Sequence, residues 1–169
     1  ILNNEVNLVT HHWSNNYHKG FDIYSHIDKN IAGKIIDNHK INFTYIGNLP
    51  KKIIFENTRV LNPLDGNDLV DILNMQNIYI TASLNEPGGN HQNEGAACGL
   101  PILFRNSGCL PEYCANYGVE FNTTNFDIKL KEIINNYEFY LSKIQNYPNI
   151  SSNMNRNYLK LFVELINNK

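Results

Sequence analysis

Short apolar runs near residues 6–10, 42–47, 59–62, 78–82, 101–105 and 118–121 are separated by stretches whose apolar residues recur every three or four positions. That alternation predicts βα units feeding a mainly parallel sheet, because parallel neighbours need a long crossover and a helix is the usual one. Between the first two runs, Phe21, Tyr24, Ile27 and Ile31 form one stripe and predict a helix over 19–31 whose apolar face covers the sheet. Gly66-Asn67-Asp68 opens a helix through about residue 75, and residues 110–116 read as a short one. Further on, Leu130, Ile133, Ile134, Tyr137, Leu141 and Ile144 make a helical stripe that Pro148 ends. Ser152 or Asn153 then caps a last helix with Tyr158, Leu161, Phe162, Leu165 and Ile166 on one face. Both stripes read as core. The expected fold class is α/β, a Rossmann-like parallel sheet of about six strands flanked by helices.

A chain of 169 residues suits a single domain over 1–169, and at this size folding buries roughly 68–70% of the surface of the unfolded chain. Net charge −2, with 14 basic residues scattered along the chain, gives no electrostatic reason for nucleic acid as a partner. No apolar stretch approaches the roughly 20 residues of a transmembrane helix and no signal-peptide pattern opens the chain, so the reading is cytoplasmic. Cys98, Cys109 and Cys114 are odd in number and lack CxxC spacing, which points to reduced packing rather than a disulfide framework or zinc. Opening on Ile1 rather than methionine, almost directly into a strand, the chain reads as a piece of a longer protein.

The segment 85–103, NEPGGNHQNEGAACGLPIL, carries the most chemistry. Asn85 to Gly89 is too polar and glycine-rich to continue the preceding apolar run, so a strand ends near Ser83 and a loop carries Glu86. Asn90 can cap a short helix of small residues bearing Glu94, stopped by Gly99 and Pro101. Free N–H groups from Gly88 to His91 would favour an anion such as phosphate, by roughly 0.3–1 kcal/mol.

This run resembles the Glu-x-(Phe/Gly)-Gly…Glu-x-x-Ala-x-Gly-x-Pro segment of the retaining glycosyltransferases of family 4, also called glycosyl transferases group 1, which have the GT-B fold. Ser107-Gly108-Cys109-Leu110-Pro111-Glu112 stands where the family has its Gly-x-Pro-Glu turn, and Lys19-Gly20-Phe21-Asp22 resembles its early Lys-Gly element. The resemblance covers most of residues 6–122 and only the C-terminal, nucleotide-sugar-binding half of such an enzyme. It implies a UDP-, GDP- or ADP-sugar donor, no cofactor and no metal. It further implies retaining transfer to a glycan or lipid-linked acceptor held by an N-terminal domain outside this chain, with the full-length protein peripheral at the inner membrane face. The isolated domain is then expected to be nearly inactive. It also offers the last helix as a contact with that N-terminal domain, against the commoner reading as core.

By the same resemblance Glu86 contacts the donor sugar near its anomeric carbon, orienting it and stabilising the positive charge of an oxocarbenium-like transition state. Glu94 accepts hydrogen bonds from both ribose hydroxyls, and Lys19 supplies a point charge to the diphosphate. The residues alone also allow Glu86 as a helix cap and Glu94 and Lys19 as solvated charges. The family has an arginine about five residues before this lysine, where the chain has Ser14; His12 or Ser14 would then donate on the diphosphate side. His11, His12 and His18 make a poor metal set, because no carboxylate or cysteine is arranged with them. Backbone N–H groups of Gly88, Gly89 and Asn90 would meet the sugar or distal phosphate, with Gly88 standing where the family has an aromatic residue. Leu61 and Pro63 could stack on the nucleobase or form an ordinary turn. Two rivals remain: a non-catalytic nucleotide-sugar-binding or partner-binding module, which the absent arginine favours, and an epimerase or phosphorylase of the same fold.

Overall fold

The structure, a computed structural model, describes residues 2–168. Its strands are β1 (Glu5–His12), β2 (Ile35–Ile36), β3 (His39–Gly47), β4 (Arg59–Leu61), β5 (Ile78–Thr81), β6 (Ile102–Arg105) and β7 (Gly118–Phe121). They form one sheet in the order β2-β3-β1-β5-β6-β7, with β4 also paired to β3. All pairings are parallel except β2 with β3. The mainly parallel α/β sheet expected from the apolar runs is therefore present, and β2 is an addition to it. It is a two-residue hairpin arm turning through Asp37 and Asn38, both at positive φ (47° and 69°), the backbone of a type I′ turn. Asp37-Asn38 was the available signal, but two apolar residues are too few to show a period.

Helices α1 (Phe21–Asn30), α2 (Gly66–Leu73), α3 (His91–Ala97), α4 (Leu110–Cys114), α5 (Phe126–Asn135), α6 (Tyr137–Ile144) and α7 (Ser151–Asn167) connect and follow the strands. The sheet sorts its side chains by the two-residue period of a strand. Ile78 and Ile80 of β5 face one layer with Phe21, Tyr24 and Ile27 of α1 and Leu130 and Ile133 of α5. Tyr79 faces the other with Leu69 and Leu73 of α2, Ala96 of α3 and Leu110 of α4. Asp28 of α1 is buried and accepts hydrogen bonds from the N–H groups of Glu56 and Asn57 and the Thr58 hydroxyl, which pins the loop between β3 and β4.

Two helical expectations are corrected. The stripe from Leu130 to Ile144 is two helices, not one: Asn136 sits between them at φ −112°, ψ 25°, and its side chain donates to the Glu132 carbonyl, ending α5 as Asn does by competing with the helix backbone. The stripe on α7 is not core. None of its residues is buried, and Tyr158, Phe162, Leu165 and Ile166 are all more than half exposed. An amphipathic period says that a helix has a face to bury, not what will cover it.

Candidate donor-binding site

Strand order reverses at β1, which has β3 on one side and β5 on the other. Ligand crevices in open parallel sheets lie beyond the C-terminal strand ends at such a switch point. Three loops meet there, after β1, β5 and β6.

After β1 the chain makes a 3-10 turn, Tyr17–Lys19, whose N-cap Asn16 accepts from the His18 N–H at 3.0 Å. Ser14 is exposed and accepts from the Asn16 N–H, so its hydroxyl shapes this turn. Gly20 follows at φ 101°, and a Cβ there would overlap Ala82, so only glycine lets the turn sit against the end of β5. The Leu84 N–H donates to the His18 carbonyl at 2.7 Å and clips the two loops together. Lys19 is thereby carried to Glu86, and its Nζ donates to Glu86 Oε2 at 2.7 Å.

Glu86 is buried, with 6% of its side chain exposed, and the loop after β6 holds it. Its carbonyl accepts from the Cys109 N–H at 2.9 Å, the Asn85 N–H donates to Ser107 Oγ at 2.8 Å, and a Cβ on Gly108 would overlap the Glu86 backbone. The segment Ser107-Gly108-Cys109 thus serves as the seat of Glu86. Gly89 lies over the same carboxylate, since a Cβ there would meet Glu86 and the His91 ring.

Glu94 lies in the first turn of α3, which follows Asn90; the Asn90 side chain makes no capping hydrogen bond, contrary to the expectation of an Asn cap. Glu94 Oε2 pairs with His11 Nε2 at 2.6 Å while 52% of its side chain stays exposed. That hydrogen bond holds the Glu94 carboxyl below the usual carboxylate range, against the opposing effect of partial burial. With Gly88, Asn90 and Ile150, Met154 and Tyr158 around α7, Glu94 borders a groove of about 670 Å³.

Beneath this surface lie two buried imidazoles whose rings are 4.7 Å apart, His12 and His91. Tyr24 accepts from the Thr10 hydroxyl and the Ala82 N–H, so its own proton goes to His12 Nε2 at 2.8 Å. His12 Nδ1 has no hydrogen-bond partner among the described residues. His91 Nε2 bonds Thr81 Oγ1 at 2.8 Å. Burial above all, with the nearby Lys19 ammonium adding to it, pushes His91 down to about 3 and holds His12 well below 6.5. Among the described residues no three His, Cys, Asp or Glu side chains group as a metal site.

The structure therefore pairs Lys19 with Glu86, sets Gly89 over that carboxylate, puts Glu94 on the groove beside Gly88 and Asn90, buries His12 beneath and leaves Ser14 outside on the turn. Leu61 ends β4, which pairs only with β3; it stands two strand spacings, about 10 Å, from β1, and Pro63 follows it. Sequence reasoning missed the pairing of His11 with Glu94 and the parts played by Tyr79, His91 and Gly95. The partners His11 and Glu94 are 83 positions apart, and no spacing rule reaches that far.

No family model matches the chain. A phosphatidylinositol N-acetylglucosaminyltransferase subunit from Homo sapiens is 31% identical over 106 residues, 57% of this chain and 21% of that protein. The catalytic domain of starch synthase IV from Arabidopsis thaliana superposes with a TM-score of 0.67 at 17% identity, covering 96% of this chain and 39% of the other. The chain has the fold of one half of a GT-B enzyme. WaaG, a glycosyltransferase of lipopolysaccharide biosynthesis, shares the fold with a TM-score of 0.67 at 15% identity over 87% of this chain and 42% of that one. This GT-B domain spans about a fifth of the curated relative and less than half of either solved chain. No helix among its described residues is long and apolar enough to cross a membrane.

One packing feature of the GT-B domain bears directly on Glu94. A Cβ on Gly95 would overlap the Tyr79 ring, whereas one on Gly88 meets nothing within 4 Å. Gly95→Ala is expected to destabilise the domain by about 1–3 kcal/mol through overpacking, and Gly88→Ala by less than about 0.5 kcal/mol. Urea unfolding of the two variants side by side checks this; equal midpoints would show that α3 does not rest on Tyr79.

Proposed function

We propose that this domain binds a nucleotide diphosphate sugar and presents it for retaining transfer to an acceptor, a glycan or a lipid-linked sugar, held by an N-terminal domain outside this chain. The observation that carries the reading is a pair of anchored carboxylates beyond the ends of β1 and β5, at the switch point of a GT-B sheet: Glu86 held by Lys19 and Glu94 held by His11. Glu94, half exposed and ionised, suits the ribose hydroxyls, which need an acceptor with two oxygens. Lys19 suits the diphosphate as a mobile point charge: it leaves Glu86 for the leaving group, and Glu86 is then free to take sugar hydroxyls and to face the developing positive charge at the anomeric carbon. The backbone of Gly88, Gly89 and Asn90 lies between the two carboxylates in sequence and is unobstructed at Gly88. No metal or cofactor enters this reading. In the complete protein, α7 with its uncovered apolar stripe suits a contact with the N-terminal domain.

Calorimetric titration of the chain with UDP, GDP, ADP and their sugar conjugates tests the proposal. One nucleotide is expected to bind, and Glu94→Ala to weaken it by about 1.5–3 kcal/mol, the range of charge-assisted hydrogen bonds. Unchanged affinity in a folded variant would remove Glu94 from the site.

A second reading, a module that holds a nucleotide sugar or a partner without turnover, is favoured by Ser14, which stands in place of an arginine and is engaged with its own turn. Product formation by the complete protein from donor and acceptor separates it from the first. Incubation with the nucleotide sugar alone distinguishes an epimerase.

A further inference from the structure

We infer that His11, locked by Tyr79, is a positioning residue that fixes the Glu94 carboxylate to receive a vicinal diol, the ribose of a nucleotide. The inference rests on the donor-site reading above and adds to it two residues and a hydrogen-bond chain.

Glu94 is a half-exposed side chain on a seven-residue helix, and left alone it would sample several rotamers. A hydrogen bond of 2.6 Å from His11 Nε2 to Glu94 Oε2 selects one of them. The direction of that bond follows from the other side of the ring. Tyr79 accepts the His11 backbone N–H on its phenol oxygen at 3.3 Å and donates its own proton to His11 Nδ1 at 3.0 Å. Nδ1 is then the acceptor and Nε2 carries the hydrogen, as the network assigns them. The chain runs Tyr79 to His11 to Glu94, and every step has one donor and one acceptor.

The parts of this chain are themselves rigid. Tyr79 is wholly buried in β5, paired with Val9 two residues before His11, so phenol and imidazole share one face of the sheet. The rings meet edge to face with centroids 5.5 Å apart. Gly95, the residue after Glu94, lets α3 rest directly on the Tyr79 ring. One tyrosine therefore sets both the height of the helix carrying Glu94 and the orientation of the imidazole that grips it. Glu94 Oε1 has no competing hydrogen bond among the described residues, and the carboxylate opens on the groove beside Gly88 and Asn90. A carboxylate tethered through one oxygen, with lone pairs left on both, is preorganised for two adjacent hydroxyls.

The test measures the dissociation constants of the preferred nucleoside diphosphate and its 2′,3′-dideoxy analogue for wild type, His11→Leu, His11→Gln and Tyr79→Phe. Wild type is expected to prefer the ribonucleotide by ~10-fold or more, the value of a charge-assisted hydrogen bond. His11→Leu should reduce that preference below about threefold while leaving the dideoxy affinity unchanged. His11→Gln, whose side-chain amide can still donate to Glu94, should restore it, and Tyr79→Phe, which frees the imidazole, should fall between. The inference is overturned if His11→Leu weakens both nucleotides equally, if it weakens neither, or if the glutamine fails to rescue; Tyr79→Phe decides the matter should the leucine variant not fold. Wild-type chain that binds no nucleotide overturns the donor-site reading and this role with it, a result recognisable before any variant is made.

Discussion

Acidification from pH 7 to pH 5 is expected to remove about 2 kcal/mol of unfolding free energy from this domain through His91, with His12 adding to the loss. His12 and His91 are buried and held neutral in the fold, His91 down to about 3 and His12 well below 6.5. In the unfolded chain both return to an imidazole near 6.5. Below that pH the unfolded state takes up two protons that the folded state refuses. The stabilisation is therefore complete above pH 6.5 and is lost as pH falls toward the folded values. His91 contributes about 1.4 kcal/mol per pH unit in that interval, hence about 2 kcal/mol between pH 6.5 and 5, and His12 acts in the same direction. Glu94, whose carboxyl is lowered from 4.5, loses its contribution only at more acid pH and leaves this window to the histidines. Urea midpoints at pH 7, 6 and 5 with an unchanged m-value provide the measurement. A flat midpoint, or an imidazole resonance of His91 titrating near pH 6.5, would show that the pair is not held neutral.

In the complete protein, assayed for the sugar transfer proposed above, Glu86→Gln is expected to lower kcat by more than about 100-fold with nucleotide affinity nearly intact. The amide keeps the size of the side chain and its seat against Ser107-Gly108-Cys109, so the loop should retain its shape. What disappears is negative charge in a buried position, where in the proposed role it would act on the anomeric carbon far more strongly than a solvated carboxylate. Lys19 also loses its partner in the free domain, which makes it more available to the diphosphate. A loss of affinity is therefore not part of the expectation. Equal turnover would remove Glu86 from the chemistry; a matching fall in affinity and turnover would move it to ground-state binding.

Much of this architecture is legible in one dimension because it is built from local periods. The stripe Phe21, Tyr24, Ile27 covers the sheet as the three- and four-residue spacing requires, and Ile78 and Ile80 face it while Tyr79 turns away, as alternation in a strand requires. Gly20 was legible through its neighbour Lys19, and the structure supplies its reason in the overlap a side chain would make with Ala82. The hairpin arm at Ile35–Ile36 was too short to carry a period. The break at Asn136 falls inside a stripe whose phase continues across it. For α7 the period was read correctly and its meaning was not, since nothing among the described residues buries that face.

The order of strand-like and helix-like segments, and the presence of Lys19, Glu86 and Glu94 just past strand ends, were determined by the sequence itself, because hydrophobic period and turn chemistry act over a few residues. Which groups touch was decided only in three dimensions. Lys19 meets Glu86 across 67 positions and His11 meets Glu94 across 83. Those contacts exist because the sheet places β1 beside β5, and strand order is a property of the whole folded chain that no local pattern encodes.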